Sequence, residues 1–177
     1  MGFAERYIRA LNSSDLRDDA RHTMTDALAA SAVADGDSGI GSLLCRVKDG
    51  DGSINQEFEG NPQNLAQLIR IWAMLVAQKG RARQWVKIKA EWDIPMANAL
   101  YQRVAEQSMM QWLDGRCKPC KGAGVDITQH DCPRCGGTGK TQLPDTFDGR
   151  LARGMVGELE ELTLSHSQRG AYLMRGA

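Results

Sequence analysis

No stretch of this 177-residue chain holds the roughly 20 unbroken apolar residues that a membrane-spanning helix needs, and its N-terminus lacks the apolar core of a secretory signal. A cytoplasmic protein without membrane partners is therefore expected. Aromatic residues make up only 6% of the chain and the formal net charge is zero, so it is not a nonspecific polycation. Charged residues at 25% are ordinary for a folded protein, and nothing points to global disorder. No nucleophile paired with a base, no phosphate-binding glycine loop and no open metal site can be found. Catalysis and a small-molecule substrate are accordingly not expected.

The balanced charge averages unlike parts. Residues 1–60 hold 6 Lys/Arg against 11 Asp/Glu, a net of −5, while residues 61–140 hold 12 against 6, a net of +6. The middle of the chain is where a polyanion would bind. Four regions follow: an acidic N-terminal region (1–60), a helical, DNA-binding body (61–116), a finger (117–140) and a C-terminal helical segment (141–177).

The finger carries the strongest signal. Cys-x-x-Cys-x-Gly-x-Gly occurs twice, as Cys117, Cys120, Gly122 and Gly124, then as Cys132, Cys135, Gly137 and Gly139. Two facing pairs of thiolates supply the four soft ligands of a tetrahedral Zn²⁺, and the glycines let the backbone turn tightly beneath the metal. A single pair would leave a redox dithiol or an iron–sulfur site equally open; the repeat with matching glycines favours one structural zinc on all four cysteines, closed to water and substrate. Such an ion is worth on the order of 10 kcal/mol of folding energy in so short a finger. Zinc with four thiolates carries a net −2, and Arg116, Lys118, Lys121, Arg134 and Lys140 lie on or beside the knuckles. These cations either offset the thiolates or face a phosphate backbone. Cys45, alone in SLLCRV, reads as a buried free thiol.

The rest of the chain reads as mainly α, with one small β-hairpin. Residues 3–34 show helical spacing through Phe3, Tyr7, Ile8 and Leu11 and on through Leu28 and Val33, with Ser13 or Ser14 as a cap and the Asp15, Asp18 and Asp19 cluster at a helix start. DGDSGIGS at 35–42 reads as a break. KDGDGSI has the middle of a calcium-binding loop, but Val47 and Phe58 stand where its first and last carboxylates belong; a turn between strands 43–48 and 53–58 is expected instead. A core helix follows, with Asn61 as cap, Pro62 in the first turn, Leu65, Leu68, Ile69, Trp72, Leu75 and Val76 at helical spacing, and Gly80 at its end.

Arg81, Arg83, Lys87 and Lys89 then alternate with Trp85, Val86, Ile88 and Trp92. Residues 83–113 read as helix, break at Asp93-Ile94-Pro95, helix. The second helix puts Ala97, Leu100, Tyr101 and Val104 on one face and Asn98, Gln102 and Arg103 on another. This outline fits a helix-turn-helix whose cations hold phosphates while Asn98, Gln102 and Arg103 read bases, and it fits an ordinary helical hairpin equally well. In the last segment Leu151, Met155, Leu159 and Leu162 form one stripe. Gly149, Gly154 and Gly157 weaken its start, His166 reads as exposed or capping, and Glu158, Glu160 and Glu161 read as a solvated face.

The doubled motif resembles half of the zinc region of DnaJ chaperones. It resembles more closely the single finger of the lambda-type phage antitermination proteins Q, in which a helical body leads into such a finger and a short proline-containing stretch follows, as TQLP does at 141–144. The resemblance implies Cys117, Cys120, Cys132 and Cys135 as zinc ligands. It also implies a cytoplasmic factor of a bacterial host that binds double-stranded DNA at a late promoter, engages host RNA polymerase and makes it ignore terminators. The other reading is a zinc-stapled protein-binding module, a chaperone adaptor or an inhibitor of a host factor, that does not touch DNA. The chain has no His-Pro-Asp signature of a J-domain, which weighs against a full co-chaperone.

Overall fold

Apolar spacing of three and four residues dictates most of what is built. The computed structural model describes residues 2–13, 24–35, 39–50 and 62–175. Among them are six α-helices, α1 (Phe3–Leu11), α2 (Met24–Asp35), α3 (Ile40–Cys45), α4 (Pro62–Ala82), α5 (Asp93–Leu113) and α6 (Phe147–Leu173), and no sheet. The chain forms two compact units, one of residues 1–71 with 159–177 and one of residues 72–158; the boundary falls within α4 and within α6.

In the first unit, residues 43–48 are not a strand. Ile40, Leu43, Leu44 and Val47 are all buried, a helical rather than an alternating pattern, and α3 runs on into a π-helical turn, Arg46–Gly50. A short apolar run does not by itself distinguish helix from strand. The second expected strand, 53–58, lies outside the described residues, as do Ser14, the Asp15, Asp18 and Asp19 cluster, and Asn61. Phe3 and Tyr7 stack at 6.3 Å, and Tyr7 Oη accepts a 2.8 Å hydrogen bond from Arg46 Nε. Cys45 is fully buried, and that burial, with the Asp49 charge adding to it, pushes its thiol up to about 11.

His166 is neither exposed nor a cap. It is fully buried, with Nε2 3.3 Å from Ser31 Oγ and Nδ1 3.3 Å from Asp35 Oδ1. Its ring meets the Phe3 ring edge-on at 5.8 Å, and a Cβ on Gly41 would stand 2.4 Å from Nδ1. Asp35 Oδ1 also accepts the Ser42 N–H at 2.6 Å, tying the end of α2 to α3. The stripe Met155, Leu159, Leu162 continues with helical spacing to residue 166, so the pattern already placed this histidine on the inner face.

In the second unit, Trp72 and Val76 of α4 are buried, as are Ala97, Leu100, Tyr101, Val104, Ala105, Met109 and Trp112 of α5, and Ala152 and Met155 of α6. Trp72 Nε1 donates to Ser108 Oγ at 2.9 Å, and Ser108 donates in turn to the Val104 carbonyl at 2.7 Å, so this buried polar pair is satisfied. Gly80 does not end α4. It sits inside the helix because a Cβ there would lie 2.4 Å from the Tyr101 ring and 2.8 Å from Trp85. The helix closes four residues later in a Schellman motif, with the Trp85 N–H on the Gly80 carbonyl (3.0 Å) and the Gln84 N–H on the Arg81 carbonyl (3.1 Å). Gln84 occupies the left-handed position with φ 50°, where glycine is usual and a side chain costs about 1–2 kcal/mol.

The segment after that cap is a loop, not a helix, so residues 83–113 form loop and helix rather than helix, break, helix. Asp93 Oδ2 accepts the N–H groups of Lys89 (2.8 Å) and Ala90 (3.0 Å), folding the loop onto the start of α5. Asp93, Ile94 and Pro95 are the first turn of α5, where the N–H that proline lacks would be unpaired in any case. Glu158 is not simply a solvated carboxylate: it is partly buried, accepts from Lys79 Nζ and from Arg83 Nη2 (2.8 Å), and the Lys79 hydrogen bond leads in holding its pKa below the usual range.

Burial holds the His166 pKa below its ordinary value; the Asp35 carboxylate opposes this and the Arg169 cation reinforces it. The native state therefore resists a proton that the unfolded chain accepts near pH 6.5. Stability is unaffected above that pH and falls as pH drops below it, by at most about 1.4 kcal/mol per pH unit. In thermal melts between pH 7.5 and 5.5, His166→Gln should lose less of its melting temperature than the parent; equal losses would show that His166 does not carry this dependence.

Candidate metal centre

The finger's two knuckles are held by reciprocal backbone contacts. The Cys117 N–H donates to the Gly139 carbonyl and the Cys132 N–H to the Gly124 carbonyl, each at 2.8 Å. Isolated antiparallel bridges, Arg116 with Lys140 and Val125 with Asp131, flank them. The last glycine of each repeat lies against the other knuckle: a Cβ on Gly124 would stand 2.4 Å from the Gly137 oxygen, and one on Gly139 would stand 2.4 Å from the Gly122 oxygen. Both have left-handed φ, 79° and 68°, so the close approach and the conformation each require glycine.

This approach brings four sulfurs together. Cys117 and Cys132 Sγ are 4.0 Å apart, Cys120 and Cys135 Sγ 3.8 Å apart, and all four lie within 4.8 Å of one another. A disulfide would need about 2.05 Å; the cysteines are free thiols. A tetrahedral ion with metal–sulfur bonds of about 2.3 Å would set its sulfurs about 3.8 Å apart, and the observed spacing fits a single such ion. The Gly124 N–H points to Cys120 Sγ (3.4 Å) and the Gly139 N–H to Cys135 Sγ (3.3 Å), one matching bond in each repeat. Burial works against ionisation of Cys120, but the N–H groups of Gly124 and Gly122 and the neighbouring thiols outweigh it and bring its pKa down to about 7. The set can hold a metal with its ligands prearranged. Cys117, Cys132 and Cys135 are themselves the finger's buried apolar cluster, with Cys120 packed against them.

The exit of the finger is tied to its entry and to the end of α5. The Thr141 N–H and Oγ1 donate to the Gly115 and Arg116 carbonyls, both at 2.8 Å, and Gln111 Nε2 donates to the Thr141 carbonyl at 2.8 Å. Between the knuckles, Asp126 Oδ1 accepts from Thr128 Oγ1 (2.6 Å) and from the N–H groups of Thr128 (2.8 Å) and His130 (3.1 Å), which keep its pKa below the usual carboxylate range. That turn leaves Ile127 fully exposed.

All five cations of the finger are exposed. Arg116 Nε lies 3.5 Å from Asp114 Oδ1, whereas Lys118, Lys121, Arg134 and Lys140 have no carboxylate partner among the described residues. The other expected DNA contacts are spread along the end of α4, the loop and α5. Arg81, Lys87, Lys89 and Asn98 are exposed. Arg83 is engaged by Glu158, Arg103 Nε by Asp148 Oδ2 (2.9 Å) and Gln102 by Glu106 (2.9 Å). Of the apolar anchors interleaved with the loop cations, Trp85 and Val86 are half-buried while Ile88 and Trp92 are exposed.

Metal affinity should follow this geometry. Gly124→Ala and Gly139→Ala should each weaken binding by tenfold or more, since the left-handed strain alone costs about 1–2 kcal/mol and 1.4 kcal/mol is a factor of ten. Gly136→Ala carries the same left-handed strain (φ 59°), but its Cβ would meet nothing within 4 Å, so it should lose less than the two whose Cβ also strikes the opposite knuckle's carbonyl. Competition with a chromophoric chelator measures all three; equal losses would mean that the cross-knuckle contacts do not set affinity.

Comparison with family models, curated proteins and solved structures finds no match to this chain.

Proposed function

We propose that this chain is a zinc-stapled regulatory protein that acts on transcription in the manner of the lambda-type phage antitermination proteins Q. On this reading it binds double-stranded DNA in the cytoplasm of a bacterial host and engages RNA polymerase so that it passes terminators. The observation that carries the reading is the doubled Cys-x-x-Cys-x-Gly-x-Gly folded as one four-sulfur knuckle pair, anchored on α5 and ringed by exposed cations. An all-thiolate tetrahedral set suits Zn²⁺, and four protein ligands leave no position for water or substrate, so the metal's role on this reading is structural and not catalytic. Its −2 charge and the carboxylates of Asp126 and Asp131 balance Lys118, Lys121, Arg134 and Lys140 in formal charge. It is the exposure of these cations, without a carboxylate partner among the described residues, that with Arg81, Lys87 and Lys89 supplies phosphate contacts that position the protein on DNA without reading sequence. Base reading falls to Asn98 first, because Gln102 and Arg103 would have to leave Glu106 and Asp148.

A second reading keeps the staple and drops DNA: a protein-binding module, as in a chaperone adaptor or an inhibitor of a host factor. It is favoured by the exposed Ile127 at the finger turn and by the exposed Trp92 and Met96, apolar groups that suit a protein partner better than a phosphate backbone.

A tagged pull-down from bacterial lysate, with and without nuclease, separates the two. RNA polymerase subunits retained in both arms are the expected result. Chaperones or one unrelated protein, with no polymerase, would replace antitermination with the second reading.

A further inference from the structure

Where α4 ends, its cap and the following loop form a cleft of about 290 Å³ lined by Arg81, Gln84, Val86, Lys87, Ile88 and Tyr101. Its two cations are exposed and have no carboxylate partner among the described residues. Arg83, between them in sequence, is by contrast held by Glu158. Tyr101 is only 2% exposed, and its hydroxyl is buried without a hydrogen-bond partner. A buried donor left unpaired is destabilising, and an acceptor entering the cleft would satisfy it. The Trp85 ring, 6.1 Å from that of Tyr101, and the Gly80 backbone pack against the tyrosine ring and hold it at the cleft wall. Gln84, the left-handed cap residue of α4, belongs to the same wall. Unpaired cations and an unsatisfied buried donor thus coincide in one cleft, the pattern of a site built for a ligand rather than for stability. Two positive charges and a hydroxyl donor suit a compact anion whose oxygens accept hydrogen bonds.

We propose that this cleft seats a phosphate group, with Arg81 and Lys87 supplying charge and Tyr101 Oη donating a hydrogen bond to a phosphate oxygen. The inference rests on the nucleic-acid reading only for the source of that phosphate, which would be one position of the DNA backbone. A small phosphate-bearing ligand would present the same chemistry.

The test uses the full zinc-loaded chain in two arms. Inorganic phosphate, titrated against sodium chloride at matched ionic strength, should shift the backbone amide resonances of residues 81–88 and 101. The double variant Arg81→Gln, Lys87→Gln should abolish the response, and Tyr101→Phe should weaken it several-fold while the melting temperature of the free protein stays the same or rises, since an unpaired buried donor is removed. With duplex DNA, the double variant should reduce the slope of log K against log salt by about 0.9, the contribution of one phosphate. A phosphate response lost in the variants, in a protein that binds no DNA, would keep the seat, assign it to a small ligand and remove the DNA reading. No phosphate response at these residues, with DNA binding unchanged in the variants, would overturn the seat and leave the DNA reading standing.

Discussion

Everything the finger does depends on four sulfurs meeting at one point. Its buried cluster consists of the cysteines themselves, and a metal held by their four sulfurs would take the role of a core for the finger. Binding energy of the order of 10 kcal/mol is then folding energy. The constraint reaches into the backbone: sulfurs 3.8–4.0 Å apart require the knuckles to approach until Gly124 and Gly139 touch the opposite carbonyl oxygens, which no residue with a Cβ permits.

The same constraint organises the neighbouring helix. Thr141 and Gln111 join the exit of the finger to the end of α5, so closing the finger on a bound ion would fix where its exposed cations stand relative to that helix. α5 buries Ala97 through Trp112 along one face and leaves Asn98, Gln102 and Arg103 on the other. A charged surface of fixed geometry is what positional recognition of a polyanion requires. The pairing of Arg83 with Glu158 and of Arg103 with Asp148 narrows the cations that the proposed DNA contact could use.

The helical plan was legible where apolar spacing was long and regular. Leu68, Trp72 and Val76 in α4, and Ala97, Leu100, Tyr101 and Val104 in α5, lie inward as their periodicity requires, and the mainly α class with a four-cysteine cluster follows from patterns visible in the chain. Legibility failed where one residue had two physical uses. Gly80 has the composition of a helix end, yet it is used for close packing under Tyr101 and Trp85. Pro95 has the composition of a break, yet it sits in a first turn that tolerates it. Leu43, Leu44 and Val47 form a run too short to choose between helix and strand, and the buried neighbours chose helix. His166 was misplaced because a polar residue on an apolar stripe was given its average environment; Ser31, far away in sequence, supplies a partner for Nε2, while Asp35 lies 3.3 Å from Nδ1 without a hydrogen bond. The cleft at Tyr101 was invisible for a related reason, since an unpaired hydroxyl is a property of three-dimensional surroundings.

Loading the four-cysteine site with Co²⁺ tests the central claim most directly, because the electronic spectrum of that ion reports both ligand type and geometry. One equivalent per chain giving intense tetrahedral ligand-field bands with thiolate-to-metal charge transfer, lost on changing any of Cys117, Cys120, Cys132 or Cys135 to serine, is the result the four-sulfur staple predicts. Weak octahedral bands, or a spectrum indifferent to those cysteines, would contradict it.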